Sequence, residues 1–346
     1  MLTILRTHLR GASAVIALLA TALSFPLTAS AQEQTTWRVQ SHWPGASSSY
    51  KDSLVRLKDI LEERSDGRLQ LQLFEAGALF SATETFNAVS RGIMDMGTIS
   101  PAYAQNKITL AGIASGLPFA FREVWEAAYF HKNMGFEEML RAEAAEYNVY
   151  WATDKVYPTE MVLKRPINGM DDLQGLKIRS SGSLQRFLTD AGATASYIPG
   201  SELYTALDAG IVDGAHWGAS LGANSMGLYE VAKYHVQPSL TISGTDVFIV
   251  SQRSLDKLPE DLQDIVKQAL EEQFWFRTNE YMHQERKSIT NAVETKGVQI
   301  NTLPDDVQQH LTQVAMTQWE TEGQRSDNTK KALSMLKEFL AELGYL

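Results

Sequence analysis

The sequence predicts an α/β fold of two domains that are joined by crossing strands and by one long shared helix. Strand-like and helix-like segments alternate over most of the chain, which is typical of α/β sheets. The 315 residues that follow position 31 fit two domains of about 150 residues each. No Pro- or Gly-rich linker separates the two sets of elements, so we expect the chain to cross between the domains more than once.

The first 31 residues are typical of a secretory signal peptide. Arg6 and Arg10 give a positively charged start, a short apolar run follows, and residues 29–31 (ASA) form the small-x-small pattern at which signal peptidases cut. The alternative is a membrane anchor, which needs about 20 apolar residues, and Pro26 interrupts the run too early. We therefore expect the mature chain to begin at Gln32 and to work in the periplasm.

Composition excludes several classes of protein. Loss of the signal peptide changes the net charge from −10 to −12, and nucleic-acid binding instead needs patches of Lys and Arg. The chain has no Cys, which excludes disulfides, thiolate chemistry and a lipid-modified N-terminal Cys. Nucleotide-binding loops, hydrolase elbows and zinc-protease motifs are missing, and the seven His never stand at a spacing that pairs them on a metal. We therefore expect no cofactor and no nucleic-acid partner.

The first domain is predicted over residues 32–155 plus about 246–260. Residues 68–74 (RLQLQLF) alternate with period two, as a half-buried strand does, and residues 81–84 (SATE) form a capping box that opens a helix. By the same criteria the elements of this domain are strands at 37–41, 68–74, 94–99, 149–153 and 245–250, and helices at 51–63, about 81–91 and 122–147.

The second domain is predicted over residues 156–245. Its elements are strands at 176–180, 194–198, 211–213 and 233–238, and helices at 184–191 and 202–209. We expect the chain to cross between the domains near 154–158 and again near 243–246, so that two short strands form a hinge.

The most informative structural pattern lies between Glu260 and Lys296, where 37 residues contain neither Gly nor Pro. One helix of that length would measure about 55 Å, longer than a single small domain, and would run along both domains. Two helices with an unmarked break are the alternative. A C-terminal helical region is predicted over 298–346, with helices at 305–322 and 329–343.

Four ordered motifs indicate a family. They are DLQGLKIR at 172–179, LYTALDAGIVDG at 203–214, YEVAKY at 229–234 and LPEDLQ at 258–263. Together they resemble the DctP-type substrate-binding proteins of tripartite ATP-independent periplasmic (TRAP) transporters, most nearly the branch that binds 2-oxo and 2-hydroxy acids. The resemblance implies a periplasmic binding protein fold, with two α/β domains around a ligand cleft. It also implies a protein that captures a small organic acid and delivers it to a membrane permease without performing chemistry.

Arg179 is the residue with the strongest prediction. It ends a predicted strand, and the residues after it open a helix whose first N–H groups favour an anion. Its planar guanidinium can hold a carboxylate through two parallel hydrogen bonds. The resemblance implies the same role, because the arginine at this motif position anchors the ligand's carboxylate in the family. The alternative for Arg179 is a surface ion pair.

His216 and Trp217 follow the second motif. The resemblance implies a Glu-Trp pair here in the oxo-acid branch, where the Glu helps to hold a metal ion; this chain has His216 instead. The two other metal-ligand positions of that branch fall on Pro158 and near Ile242, which offer no side-chain oxygen. Hard cations need oxygen ligands, so we expect no metal. His216 is predicted to donate a hydrogen bond to the ligand and Trp217 to form an apolar wall, with structural roles as the alternatives.

Four further residues are candidates for the cleft. Tyr103 and Trp43 each follow a predicted strand at a loop, and Thr159 and Glu160 flank the expected crossover. A rival hypothesis makes the protein a periplasmic enzyme, a lyase or isomerase, with His216 and Glu160 as an acid–base pair. One arginine is compatible with a monocarboxylate, a dicarboxylate, a sulfonate or an aromatic acid, and the motif pattern favours a monocarboxylate. The C-terminal region resembles tails that build a homodimer in the oxo-acid branch.

Overall fold

The computed structural model describes residues 34–346, so the predicted signal peptide and its cleavage site lie outside the described residues. The described part contains two β-sheets flanked by helices. The strands are β1 (Thr35–Gln40), β2 (Leu69–Phe74), β3 (Met96–Ile99), β4 (Val149–Thr159), β5 (Met161–Leu163), β6 (Lys177–Arg179), β7 (Thr194–Ser196), β8 (Gly214–His216), β9 (Tyr234–Gln237), β10 (Thr241–Ser251) and β11 (Gln299–Thr302).

The helices lie on the faces of the two sheets and along their edges. They are α1 (Arg56–Arg64), α2 (Thr85–Ser90), α3 (Ala111–Ala114), α4 (Val124–Lys132), α5 (Phe136–Ala145), α6 (Met170–Leu173), α7 (Gly182–Asp190), α8 (Gly200–Asp208), α9 (Ser220–Ser225), α10 (Leu228–Val231), α11 (Gln252–Asp256), α12 (Glu260–Lys296), α13 (Asp305–Gly323) and α14 (Asp327–Glu342). A π-helical turn, Tyr50–Val55, precedes α1, and a 3-10 turn, Pro101–Tyr103, follows β3. Within residues 34–346, no helix combines the length and the apolar character that spanning a membrane requires.

Each sheet forms the centre of one lobe, which confirms the predicted α/β fold class. The first sheet has the strand order β2-β1-β3-β10-β4, with β1 parallel to β2 and β3 and with β10 antiparallel to both of its neighbours. The second sheet has the order β11-β9-β5-β8-β6-β7 and is also mixed. We call these the first lobe and the second lobe.

Two long strands connect the lobes. β4 and β10 have 11 residues each and pair antiparallel from Val149↔Ser251 to Thr159↔Thr241. One residue after β4 the chain enters β5 of the second sheet, and β9 of that sheet leads back into β10. The pairing is irregular between Thr241 and Gly244 and between Asp246 and Val247, close to the predicted crossings. Each crossing strand is therefore held along its length by the other.

Helix α12 is one continuous helix, so the alternative of two helices is wrong. Its first half packs into the first-lobe core, where Leu262, Val266 and Leu270 lie beside Leu57 of α1. Near its other end Ala292 packs into the second-lobe core. The 37 residues measure about 55 Å, which is the length needed to reach both cores.

Three local predictions differ from the structure. The helix predicted over 122–147 is two helices, α4 and α5, because Gly135 has a left-handed φ of 87° that no continuous helix tolerates. The strand predicted at 211–213 lies at 214–216, and Ile211 is exposed. The C-terminal region is helical except for β11, which adds a strand parallel to β9.

The last helix covers its apolar side within the same chain. Leu333, Leu336, Phe339 and Leu340 of α14 are buried in the first-lobe core. These residues are covered without a second copy of the chain, so they give no argument for a dimer interface at this helix. The homodimer stays a prediction.

Candidate functional site

A cavity of about 80 Å³ lies between the lobes, and side chains from both lobes line it. Six of the seven predicted contact residues line this cavity: Trp43, Tyr103, Thr159, Arg179, His216 and Trp217. The seventh, Glu160, does not. The crossing strands supply further lining at Tyr157 and Asp246, and the long helix supplies Tyr281.

Arg179 is buried at the end of β6, with 3% of its surface exposed. Nε donates to the carbonyl oxygen of Ile198 at 2.9 Å, and Nη1 donates to the carbonyl oxygen of His216 at 2.9 Å. Nη2 is buried and has no hydrogen-bond partner among the described residues. Two backbone carbonyls therefore fix the plane of the guanidinium and leave one nitrogen available. A buried, unpaired cationic donor beside a cavity is suited to an anionic ligand.

Trp217 covers one face of this arginine. The guanidinium carbon of Arg179 lies 4.7 Å from the centre of the Trp217 ring, a cation–π contact. The indole fits because residue 200 is Gly: a Cβ at Gly200 would lie 2.4 Å from the ring atom Cη2 of Trp217. The indole of Trp217, just after β8, thus packs directly against the backbone at the start of α8, and this contact fixes its position in the cavity wall.

His216 is held by two hydroxyl groups. Its Nδ1 lies 3.1 Å from Oγ of Ser180, and its Nε2 lies 2.8 Å from Oγ1 of Thr159. Burial, assisted by the positive charge of Arg179, lowers the pKa of His216 to about 3. The imidazole is therefore neutral near pH 7, and its two nitrogens already have protein partners. These contacts give His216 a structural part in placing Arg179, whose Nη1 bonds to the His216 carbonyl.

Glu160 lies outside the cavity, and the predicted acid–base pair with His216 is not assembled. Its Oε2 lies 2.5 Å from Nε2 of His235, and its Oε1 accepts a hydrogen bond from Oγ of Ser239 at 2.7 Å. Consecutive residues of an extended chain point to opposite sides, so Thr159 faces the cavity and Glu160 faces away. The enzyme hypothesis depended on His216 and Glu160 facing the same cavity, and this arrangement is not present.

Two aromatic residues of the first lobe complete the predicted set. Tyr103 ends the 3-10 turn after β3, and its ring meets Tyr197 of the second lobe edge-on at 5.7 Å. Trp43 is buried and packs edge-on against Phe248 of β10 at 6.3 Å. Both rings therefore line the cavity and also pack against the hydrophobic core of the first lobe.

Sequence reasoning missed a buried ion pair in the same cavity wall. Lys155 Nζ lies 2.7 Å from Oδ2 of Asp246 and 2.9 Å from Oδ2 of Asp154. Burial by itself would raise the pKa of Asp246, but the Lys155 ammonium and His42 outweigh it and hold that pKa well below its usual range. The signal in the sequence was two adjacent charges, Asp154-Lys155, inside a strand that is otherwise apolar.

The long helix holds the loop that carries Trp217. Glu285 of α12 accepts hydrogen bonds from the backbone N–H groups of Ser220 at 2.9 Å and Leu221 at 2.7 Å. Burial raises the pKa of Glu285 to about 7, against the opposing effect of these bonds. One buried carboxylate thus links the helix shared by both lobes to one wall of the cavity.

The donor set around His216 does not fit a hard cation. No group of three or more His, Asp or Glu within residues 34–346 is placed to hold a metal ion. His216 Nε2 is engaged by Thr159, and Ile242 does not line the cavity. Asp154 and Asp246 share the Lys155 ammonium, which already supplies their positive partner. The absence of a metal requirement stays a prediction.

The chain matches one family of known proteins over most of its length. The model of bacterial extracellular solute-binding protein family 7 (DctP) matches residues 40–325. A monocarboxylate 2-oxoacid-binding periplasmic protein of Nostoc is 24% identical over 310 residues, which are 89% of this chain and 84% of that protein.

Two solved structures share the fold. A TRAP periplasmic solute-binding protein of Pseudoalteromonas atlantica, with bound sodium and pyruvate, superposes with a TM-score of 0.82 at 24% identity and covers 90% of this chain and 95% of that one. A TRAP solute-binding protein of Bordetella bronchiseptica, a mixed-occupancy dimer with calcium and picolinate in one site, has a TM-score of 0.83 at 20% identity, with 90% and 93% coverage. At these identities the likeness concerns the fold.

Proposed function

The chain belongs to bacterial extracellular solute-binding protein family 7, and we propose that it captures a small organic acid and delivers it to the membrane permease of a TRAP transporter. The observation that supports this most directly is the free Nη2 of Arg179 beside the cavity. A ligand carboxylate completes the hydrogen bonding of this nitrogen, and each charge-assisted bond contributes about 1.5–3 kcal/mol net. Binding, with no bond made or broken, is the whole of the activity.

The size of the cavity limits the ligand. One buried water needs roughly 10–15 Å³ by this measure, so about 80 Å³ holds roughly five to eight groups of that size. A monocarboxylic acid of two to four carbons fits this space. The names of the Nostoc relative and of the Pseudoalteromonas structure, which refer to 2-oxoacids and pyruvate, agree with a ligand of this size.

The mechanism follows from the position of the cavity between the lobes. Micromolar binding needs about −8 kcal/mol, more than an ion pair in open water provides. Closure of the lobes around the ligand removes that water, with Arg179 and Trp217 on one side and Tyr103 and Trp43 on the other. The crossing strands β4 and β10 are the hinge.

The proposed location is the periplasm, after removal of residues 1–31. This follows from the signal-peptide pattern and agrees with the membership in an extracellular family.

Calorimetric titration with glycolate, lactate, pyruvate, malonate and succinate tests the proposal. We expect micromolar affinity or better for at least one acid. An absence of binding by every acid in a folded sample, or an affinity that Arg179→Ala leaves unchanged, would overturn it.

A further inference from the structure

Asp246 is the second charged group that faces the cavity. It lies on β10 and is 3% exposed. Its Oδ2 accepts from Lys155 Nζ at 2.7 Å, and its Oδ1 lies 3.3 Å from Nε2 of His42. The carboxylate is therefore held in place by donors behind and beside it while it borders the ligand space.

The hydrogen bonds of His42 show which of its nitrogens carries the proton. The backbone N–H of His42 donates to Oγ1 of Thr98 at 3.1 Å, and the same Oγ1 lies 2.9 Å from Nδ1. A carboxylate oxygen can only accept, so Nε2, which lies 3.3 Å from Oδ1 of Asp246, is the donor of this pair. The aspartate acts as an acceptor on this side.

Lys155 is not available to a ligand. Its side chain is fully buried, and its ammonium lies between Asp154 and Asp246. The same nitrogen is 4.8 Å from the ring of Tyr157 and 5.0 Å from the ring of Trp43. The positive charge is thus enclosed by protein, and the group that reaches the cavity is the carboxylate of Asp246.

Arg179 and Asp246 lie at different levels of the crossing strands. Arg179 bonds to the carbonyl of His216, whose ring bonds to Thr159 at the end of β4. Asp246 is paired in register with Lys155, four residues earlier in β4. Thr159 and Lys155 are roughly 13 Å apart along β4 at about 3.3 Å per residue, so the two charged groups are anchored at different positions of the strand. Arg179 supplies a positive charge to the lining of the cavity, and Asp246 supplies a negative one.

We propose that Asp246 determines specificity by accepting a hydrogen bond from a hydroxyl or N–H group of the ligand whose carboxylate Arg179 holds. This rests on the function proposed above. A carboxylate has four acceptor positions; Lys155 and His42 use two of them on Asp246, and the buried Tyr157 hydroxyl takes a third, which leaves one. A ligand donor fits the remaining capacity. A second ligand carboxylate would face the fixed negative charge of Asp246, which disfavours it. The preferred ligand is a hydroxy or amino monocarboxylic acid.

A panel of acids in matched sets tests this on the native protein. At each chain length from two to four carbons, an ω-hydroxy acid is compared with the plain acid and the dicarboxylic acid: glycolate, acetate and oxalate; 3-hydroxypropionate, propionate and malonate; 4-hydroxybutyrate, butyrate and succinate. Because three lengths are covered, the spacing of the two ends need not be known beforehand. We expect the hydroxy acid to bind at least tenfold more tightly than both partners at one length. A plain or dicarboxylic acid that binds as tightly as its hydroxy partner at every length overturns the proposal.

The variant Asp246→Asn tests the residue itself. It exchanges one carboxylate oxygen for an N–H donor, so the affinity ratio of hydroxy acid to dicarboxylic acid should fall at least tenfold. Asp256→Asn, which removes the same charge at an exposed position of α11, is the control and should leave the ratio unchanged. An unchanged ratio in a folded D246N protein contradicts the proposal. If D246N does not fold, the panel on the native protein still decides. Failure of the proposed function itself is distinguishable, because then no acid of the panel binds.

Discussion

The hydroxyl oxygens of Ser115 and Ser183 lie 2.8 Å apart, and they belong to different lobes. Both hydroxyl oxygens also lie within hydrogen-bond distance of the carbonyl oxygen of Gly112, Ser183 at 3.2 Å and Ser115 at 2.9 Å. One turn of α7, next to Arg179 in the chain, is therefore bonded directly to α3 of the first lobe. The two lobes are thus in direct contact beside the candidate site.

Gly182→Ala should weaken ligand binding at least tenfold by opposing closure. A Cβ at Gly182 would lie 2.6 Å from Cβ of Ala102 in the other lobe, and the positive φ of 60° adds strain. Calorimetry measures the affinity, and small-angle scattering with ligand measures the radius of gyration, which should be larger than that of the liganded native protein.

The matched control for this variant is Gly175→Ala. Gly175 has a similar φ of 68° but nothing within 4 Å of its Cβ position, so it reports strain without the contact. If G175A weakens binding as much as G182A does, or if the native radius of gyration is the same with and without bound ligand, closure is not the mechanism.

Arg179→Ala should reduce affinity for the bound acid roughly 100-fold, about 3 kcal/mol, because the ligand carboxylate would be buried without its partner. The variant should still fold without ligand, but its thermal midpoint should fall, since the carbonyl oxygens of Ile198 and His216 lose their donor. Arg165→Ala, a half-exposed arginine that pairs with Asp172 in the same lobe, is the control. Equal losses for the two variants would show that general charge, and not this site, controls binding.

Ligand affinity should be unchanged, within a factor of three, after treatment with EDTA. The oxygen donors that a hard cation needs are missing at Pro158 and Ile242, and His216 is engaged by Thr159. Titration before and after chelation, followed by addition of calcium or sodium, measures this. An affinity that is lost with EDTA and restored by either ion would show that a cation belongs to the site.

The carboxyl group of Glu285 should make folding stability depend on pH. Burial raises its pKa from 4.5 to about 7, so the folded state holds this proton more tightly than the unfolded state does. The contribution of this proton to the free energy of unfolding is fully present below about pH 4.5. It is lost as the pH rises through 7, and the loss amounts to at most about 3 kcal/mol.

Urea unfolding of the native protein and of Glu285→Gln at pH values from 5 to 8 isolates this contribution, because other titrating groups cancel in the difference. We expect the native protein to lose stability relative to the variant as the pH rises. A constant difference across this range would mean that Glu285 titrates like an exposed acid.

Exported protein should begin at Gln32. Intact mass and N-terminal sequencing of the periplasmic fraction measure this, since residues 29–31 carry the cleavage pattern. Protein that keeps residues 1–31 and sediments with membranes would indicate an anchor instead.

Much of the candidate site was accessible from the chain alone. Arg179 was identified because it ends a strand and belongs to a motif, and Tyr103 and Trp43 because loops after strands meet at one edge of such sheets. Glu160 was misplaced because neighbouring residues at a crossover differ only in which side they face. Although they are adjacent in the chain, Thr159 faces the cavity and Glu160 contacts His235 on the opposite side.

The sequence by itself determined the α/β class, the helical character of residues 260–296 and the motif that ends in Arg179, whereas the structure showed that these 37 residues form one helix. These depend on local periodicity, on the absence of Gly and Pro over 37 residues, and on residue order. Only the tertiary structure decided that Lys155 pairs with Asp246, 91 residues away, and that Arg179 keeps one nitrogen free. The Lys155–Asp246 pair results from the pairing of β4 with β10. The free nitrogen of Arg179 results from the carbonyls of Ile198 and His216, which engage its other two nitrogens. Such partners are brought together by strand register and lobe packing, which no local pattern specifies.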